Sequence, residues 1–103
     1  MTKVREKLVR DRIPEIIRLN GGNPQVRIAT GIELDKFIRQ KIVEESQELL
    51  NSGTDEEIAD VLEAIDALLV HRAIDRATFE DARTKKRQER GGFERGLVLE
   101  MPD

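Results

Sequence analysis

The chain of 103 residues contains no cysteine, tryptophan or tyrosine, and its one histidine is His71. Without thiols there is no disulfide framework, no thiolate zinc site and no cysteine nucleophile. The Glu-x-x-His motif of di-iron bundles is also missing. Aromatic residues are limited to Phe37, Phe79 and Phe93, and no apolar run approaches the length of a membrane span. The first residues are charged and carry no signal-peptide core. Together these absences predict a cytoplasmic protein with no membrane partner. The net charge of −3 is too mild to predict stable nucleic-acid binding. Hydrophobic and charged residues each make up 38% of the chain. A single domain over residues 1–103 with this composition buries only a modest core alone, so self-association is expected.

Charge is distributed unevenly. The ends are basic, with Lys3, Arg5, Lys7, Arg10 and Arg12 at one and Arg83, Lys85, Lys86, Arg87, Arg90 and Arg95 at the other. The middle is acidic: Glu44 to Asp66 holds nine acidic residues and no Lys or Arg. Within that stretch stand two pairs, Glu45-Ser46-Gln47-Glu48 and Glu57-Ile58-Ala59-Asp60, separated by eight residues. Residues three apart share a helix face, so each pair can offer two carboxylates to one point. All-oxygen ligation favours a hard divalent cation, Mg²⁺ or else Mn²⁺, over zinc or iron.

The pattern of the chain predicts an all-α antiparallel helical bundle with a minor β segment near the termini. Lys7 to Pro14 leads into a short helix ended by Gly21-Gly22. Val26-Arg27-Ile28 alternates as a short strand would, and the tail Phe93 to Met101 is a candidate to pair with it. Thr30-Gly31-Ile32-Glu33 reads as a capping box opening a long helix from about Gly31 to Asn51, stopped by Ser52-Gly53. Thr54-Asp55-Glu56-Glu57 reads as a second box, and its helix runs to about His71 or Ala73. Thr78-Phe79-Glu80-Asp81 opens a last helix that Gly91-Gly92 stops.

Projected at about 100° per residue, Leu34, Ile38, Ile42 and Leu49 form one stripe. Glu45 falls in its centre and Glu48 on its edge, while Val43 and Leu50 lie opposite. A charged group facing a core is costly unless paired or metal-bound, so this mismatch points to function. Asp60 shares a face with Ala64 and Ala67, which let another element approach closely. The plainer reading of Glu57 is a first-turn acid favoured by the helix dipole, and that of His71 is a helix-end residue. Ile58, Val61, Leu62, Ile65, Leu68 and Leu69 cover too wide an arc for one small chain to bury. A homodimer or larger even oligomer is therefore expected.

Four segments in order carry a family resemblance. They are Lys7-Leu8-Val9-Arg10-Asp11-Arg12-Ile13-Pro14, Glu44-Glu45 with Glu48, Glu57-Ile58-Ala59-Asp60-Val61-Leu62-Glu63, and Lys86 to Arg90 with Gly91-Gly92-Phe93. This set resembles the small MazG-like, phosphoribosyl-ATP pyrophosphohydrolase-like branch of the all-α nucleoside triphosphate pyrophosphohydrolases. The resemblance implies Mg²⁺ at Glu45, Glu48, Glu57 and Asp60, with Glu44 as an accessory acid. It implies hydrolysis of a nucleoside triphosphate to monophosphate and pyrophosphate, in keeping with nucleotide-pool house-cleaning. Glu45 or Glu48 is the candidate base for water. Lys7, Arg10, Arg12, Lys86, Arg87 and Arg90 are candidate phosphate clamps, and Phe93 a candidate contact for the substrate base. The spacing between the acidic pairs is shorter than in MazG proper, which leaves the substrate range open. Two alternatives stand beside this reading: phosphoribosyl-ATP hydrolysis in histidine biosynthesis, and a non-enzymatic helical dimerisation or adaptor module.

Overall fold

A computed structural model describes residues 5–102; Lys3, counted above among the basic residues, lies outside them. The described residues form four helices, α1 (Ile13–Leu19), α2 (Gly31–Ser52), α3 (Asp55–His71) and α4 (Arg76–Arg90), and no strand. The all-α expectation holds. The expected β segment does not form: Val26 to Ile28 and the tail after Gly92 run without a ladder. Alternation alone supplies no partner for backbone N–H and C=O groups, and a strand needs neighbours to persist.

The chain divides into two compact units, one ending at Ala73 and the other beginning at Ile74. The first unit is organised by α2 and α3. Gly53 closes α2 at φ 67°, a left-handed conformation that disfavours residues with a Cβ, and its amide donates to the Leu49 carbonyl at 2.8 Å. Thr54 then caps α3, its hydroxyl accepting from the Glu57 amide at 3.4 Å. With so short a connection the helices must run antiparallel. At their far end the His71 Nε2–H donates to the Gly31 carbonyl at 3.1 Å. Arg72 grips Asp35 in a bidentate pair at 2.7 and 3.0 Å, and Arg39 joins at 2.9 Å.

Helix α1 begins where the Ile13 amide donates to the Arg10 carbonyl, with Pro14 in the first turn, where its missing N–H costs nothing. It ends where Gly22 crosses Ile17 so closely that a Cβ there would sit 2.5 Å from Ile17 Cγ2.

Two caps differ from the sequence reading. Thr30 makes no side-chain cap bond to α2, and the reciprocal arm of the box is absent as well, since the Glu33 carboxylate is taken by Arg27 at 2.7 and 3.0 Å. Arg27 also donates to Glu6 at 2.7 Å and lies over the Phe37 ring, 5.6 Å from its centroid. In the second unit α4 starts earlier than expected. Asp75 is the cap, accepting from the Thr78 amide at 3.0 Å and its hydroxyl at 2.8 Å. Asp is a stronger N-cap than Thr, so Thr78 falls inside the first turn.

Burial is sparse. Ile38, Ala64 and Glu45 are the buried residues among those described, at 3%, 7% and 8% exposure. The chain exposes 9498 Å². On α3, Ile58 and Leu62 are about half exposed, and Val43 and Leu50 on α2 are exposed as expected.

Candidate metal centre

The stripe on α2 places Glu45 where the sequence pattern puts it: on the same face as Ile38 and buried almost as deeply. Across from it α3 turns Asp60 and Ala64 inward. Ala64 is small enough to let the helices meet, and it lies one turn beyond Asp60. Glu57, one turn before Asp60 and half-buried, completes a triad. One carboxylate oxygen from each of Glu45, Glu57 and Asp60 lies within 4.8 Å of the others. Oxygens on opposite sides of one Mg²⁺ are about 4.2 Å apart, and around Ca²⁺ about 5 Å. The triad therefore stands at the spacing that one hard divalent ion spans after small side-chain rotation.

Two oxygens of this group, Glu45 Oε2 and Glu57 Oε2, are buried and accept no hydrogen bond. Leaving a buried acceptor unsatisfied costs about 1–3 kcal/mol, and more when it is charged. A cation between them would remove that cost. The donor set is oxygen throughout, which suits Mg²⁺ or Mn²⁺. His71, the one imidazole, is engaged with the Gly31 carbonyl at the other end of the helices.

Basic groups stand around the triad. Arg10 donates to Asp60 at 2.7 Å, and Lys7 to Glu44 at 2.9 Å. Both come from the segment that leads into α1. Lys41 reaches Glu45 at 3.1 Å and Glu44 at 3.5 Å. Arg10, Lys41, Glu45 and Asp60 line an open cleft of about 660 Å³ floored by Ile38 and Ala64. The Lys7 ammonium beside Glu44 lowers that carboxyl's pKa, overcoming partial burial, which acts the other way. Glu48 behaves oppositely. The negative charge of Glu45 raises its pKa, burial adds to this, and Glu57 and Glu44 push the same way.

The expected site residues thus separate. Glu45, Glu57 and Asp60 come together. Glu48 stands outside the triad, exposed but electrically tied to Glu45. Lys7 and Arg10 are at the acids. Arg12 is not: it is exposed and pairs with Glu15 on α1 at 3.4 Å. Lys86, Arg87, Arg90 and Phe93 belong to the second unit, where all four are exposed and Arg87 pairs with Glu94.

Lys41 escaped the sequence reading. The acidic stretch begins at Glu44, three residues after it, so composition within the stretch shows no compensating charge. The signal available was its spacing: Lys41 stands at i−4 from Glu45, on the same face.

No family model matches the chain, and no curated protein and no solved structure matches it.

Proposed function

We propose that the chain is a Mg²⁺-dependent nucleoside triphosphate pyrophosphohydrolase of the MazG-like kind, with Mn²⁺ as a substitute metal. The observation that carries this reading is the triad of Glu45, Glu57 and Asp60 with two buried, unpartnered oxygens. A cluster of acids is common without an ion. A cluster that buries a carboxylate on an apolar stripe and leaves its oxygen unsatisfied is not explained by solvation.

Glu45, Glu57 and Asp60 would hold the metal, and Glu48 would reach it by rotation from its place beside Glu45. When bound, Mg²⁺ would neutralise phosphate charge and orient the attacking water. The chain's own groups supply the rest. Glu48 stands beside Glu45 but outside the triad, so it is the carboxylate least engaged by the metal. It is the group proposed to accept the proton that water loses as its oxygen bonds to phosphorus. The anhydride bond between the α and β phosphates then breaks and pyrophosphate leaves. Arg10 and Lys7 border the acids and offer donors to the phosphate oxygens.

Assembly is part of the proposal. Val43 and Leu50 on α2 and Ile58, Leu62 and Val70 on α3 are large apolar side chains left exposed in the first unit, more than a soluble monomer of this size usually shows. Ile58, Leu62, Ile65 and Leu69 lie along one face of α3, and Ile58 and Leu62 are about half exposed. We infer that a second copy covers this face. An active, well-folded monomer in sedimentation equilibrium at micromolar concentration would refute the interface.

Product analysis tests the reaction. A panel of common and modified nucleoside triphosphates with Mg²⁺ should yield monophosphate and pyrophosphate. Release of orthophosphate alone, one group at a time, would sink the assignment.

A further inference from the structure

Lys41 lies one turn before Glu45 on α2, with its side chain only 18% exposed. Lysine is mostly exposed in folded proteins, so a side chain sheltered this far calls for a partner. Its Nζ stands 3.1 Å from Glu45 Oε1 and 3.5 Å from Glu44 Oε1. As a support for the helix it is poorly arranged, because an acid preceding a base is the favourable order along a helix, and here the base precedes the acid. Its placement does something else: it divides the Glu45 carboxylate. Oε1 is engaged by the ammonium, while Oε2 stays buried and unpartnered in the residue that meets Glu57 and Asp60.

We propose that Lys41 is a positioning residue: it pins Glu45 by Oε1, so that Oε2 is presented to the metal ion. The inference rests on the Mg²⁺ reading above and names a residue that reading does not need. Three features support it. Glu45 sits among apolar neighbours, where an untethered carboxylate gains by rotating toward water. Glu48, Glu57 and Glu44 crowd the same end of the helices, and like charges drive such a rotation further. Lys41 is the one basic group among the described residues that an ion pair joins directly to Glu45.

A purely electrostatic role would have the opposite consequence. An ammonium beside a cation site repels the cation, so removing it by charge alone should tighten Mg²⁺ binding. Positioning predicts weaker binding. The sign of the change separates the two.

The test is Mg²⁺ titration by calorimetry at fixed pH on the full chain, for wild type, K41M, K41Q and K41R, with circular dichroism on each. We expect K41M and K41Q to bind Mg²⁺ at least about tenfold more weakly, the range seen for outer-shell partners of metal ligands. K41R, which restores a cation of similar reach, should recover most of the affinity. Unchanged or tighter Mg²⁺ binding in both K41M and K41Q would overturn the proposal. Loss of the helical signal in both would also overturn it, by making Lys41 a structural residue. A wild type that binds no Mg²⁺ would refute the metal reading itself, and the inference with it.

Discussion

At one end of the α2–α3 pair, Asp35 is met by Arg72 and Arg39. At the other, Glu45 meets Glu57 and Asp60. The helices and their packing are the same, but the solutions differ. The Asp35 end is complete within the chain: its carboxyl is bonded on both oxygens, and the Arg72 guanidinium, helped by Arg39, holds its pKa at about 2. The Glu45 end is not. Lys41, Lys7 and Arg10 compensate part of its charge, yet two buried oxygens stay unsatisfied and the Glu48 pKa is raised by its neighbours. The chain neutralises the Asp35 carboxylate with its own side chains and leaves the Glu45 end in deficit, and that deficit is what the proposed cation would fill.

The largest expected effect lies in turnover. Outer-shell changes at metal sites cost roughly 10–100-fold, so losing a ligand should cost more than about 100-fold. Glu45→Gln and Asp60→Asn should each lose activity to this degree with an unchanged circular dichroism spectrum, while Asp35→Asn keeps it. Near-normal turnover in Glu45→Gln or Asp60→Asn, or a loss in Asp35→Asn as severe as theirs, would break the comparison between the two ends.

Mg²⁺ should also act on stability at one end only. A ligand at about 100 times its dissociation constant stabilises by roughly 2.7 kcal/mol, which for a domain of this size is on the order of 10 °C in Tm. Wild type should show such a rise with Mg²⁺ and lose it with a chelator. Glu57→Gln should show a much smaller rise. Equal rises in the two proteins, read by thermal denaturation, would remove Glu57 from the metal centre.

Much of this contrast was legible in the sequence, and the reason is locality. The burial of Glu45 follows from its phase against Leu34, Ile38 and Ile42 on the same helix, and Gly53 at φ 67° marks the end of α2. What went unread depends on other parts of the chain. The box at Thr30 does not close, and the Glu33 carboxylate that would have reached back is held by Arg27, a residue outside the four-residue motif. Thr78 yields to Asp75, the stronger of two capable caps. Glu48 shares a face with Glu45, but projection along one helix carries no depth across to α3, so its place outside the triad was invisible. The strand expected at Val26 lacked a partner, and no pattern within a segment supplies one.

A pH experiment sharpens the completed end. Asp35 has its pKa lowered from 3.8 to about 2, chiefly by the Arg72 hydrogen bonds. A carboxyl depressed in the folded state contributes stability that is full above its unfolded pKa and is lost as pH falls through the folded one. The difference in urea stability between wild type and Asp35→Asn should therefore be constant above about pH 4 and vanish as pH falls through about 2. A difference that instead persists below pH 2 would mean that the Asp35 charge is not what fastens this end.

The smallest expected effect is at Glu48, and its sign is opposite. The negative charge of Glu45, followed by burial, raises the pKa of Glu48 above its ordinary 4.5. Ionising it in the folded protein is therefore unfavourable relative to the unfolded chain, and the penalty is present at neutral pH and absent below the unfolded value. Replacing Glu48 by Gln should raise the Tm of the metal-free protein at pH 7. The rise should be only about 1–3 °C, since solvent screens exposed charges. It should fade as pH falls through the raised pKa toward 4.5, where wild-type Glu48 also becomes neutral. With Mg²⁺ at saturation the order should reverse, because the cation turns like-charge repulsion into attraction and Glu48→Gln then lacks a charge that wild type uses. If Glu48→Gln were more stable than wild type both with and without Mg²⁺, Glu48 would be a crowded surface acid and not a reserve ligand.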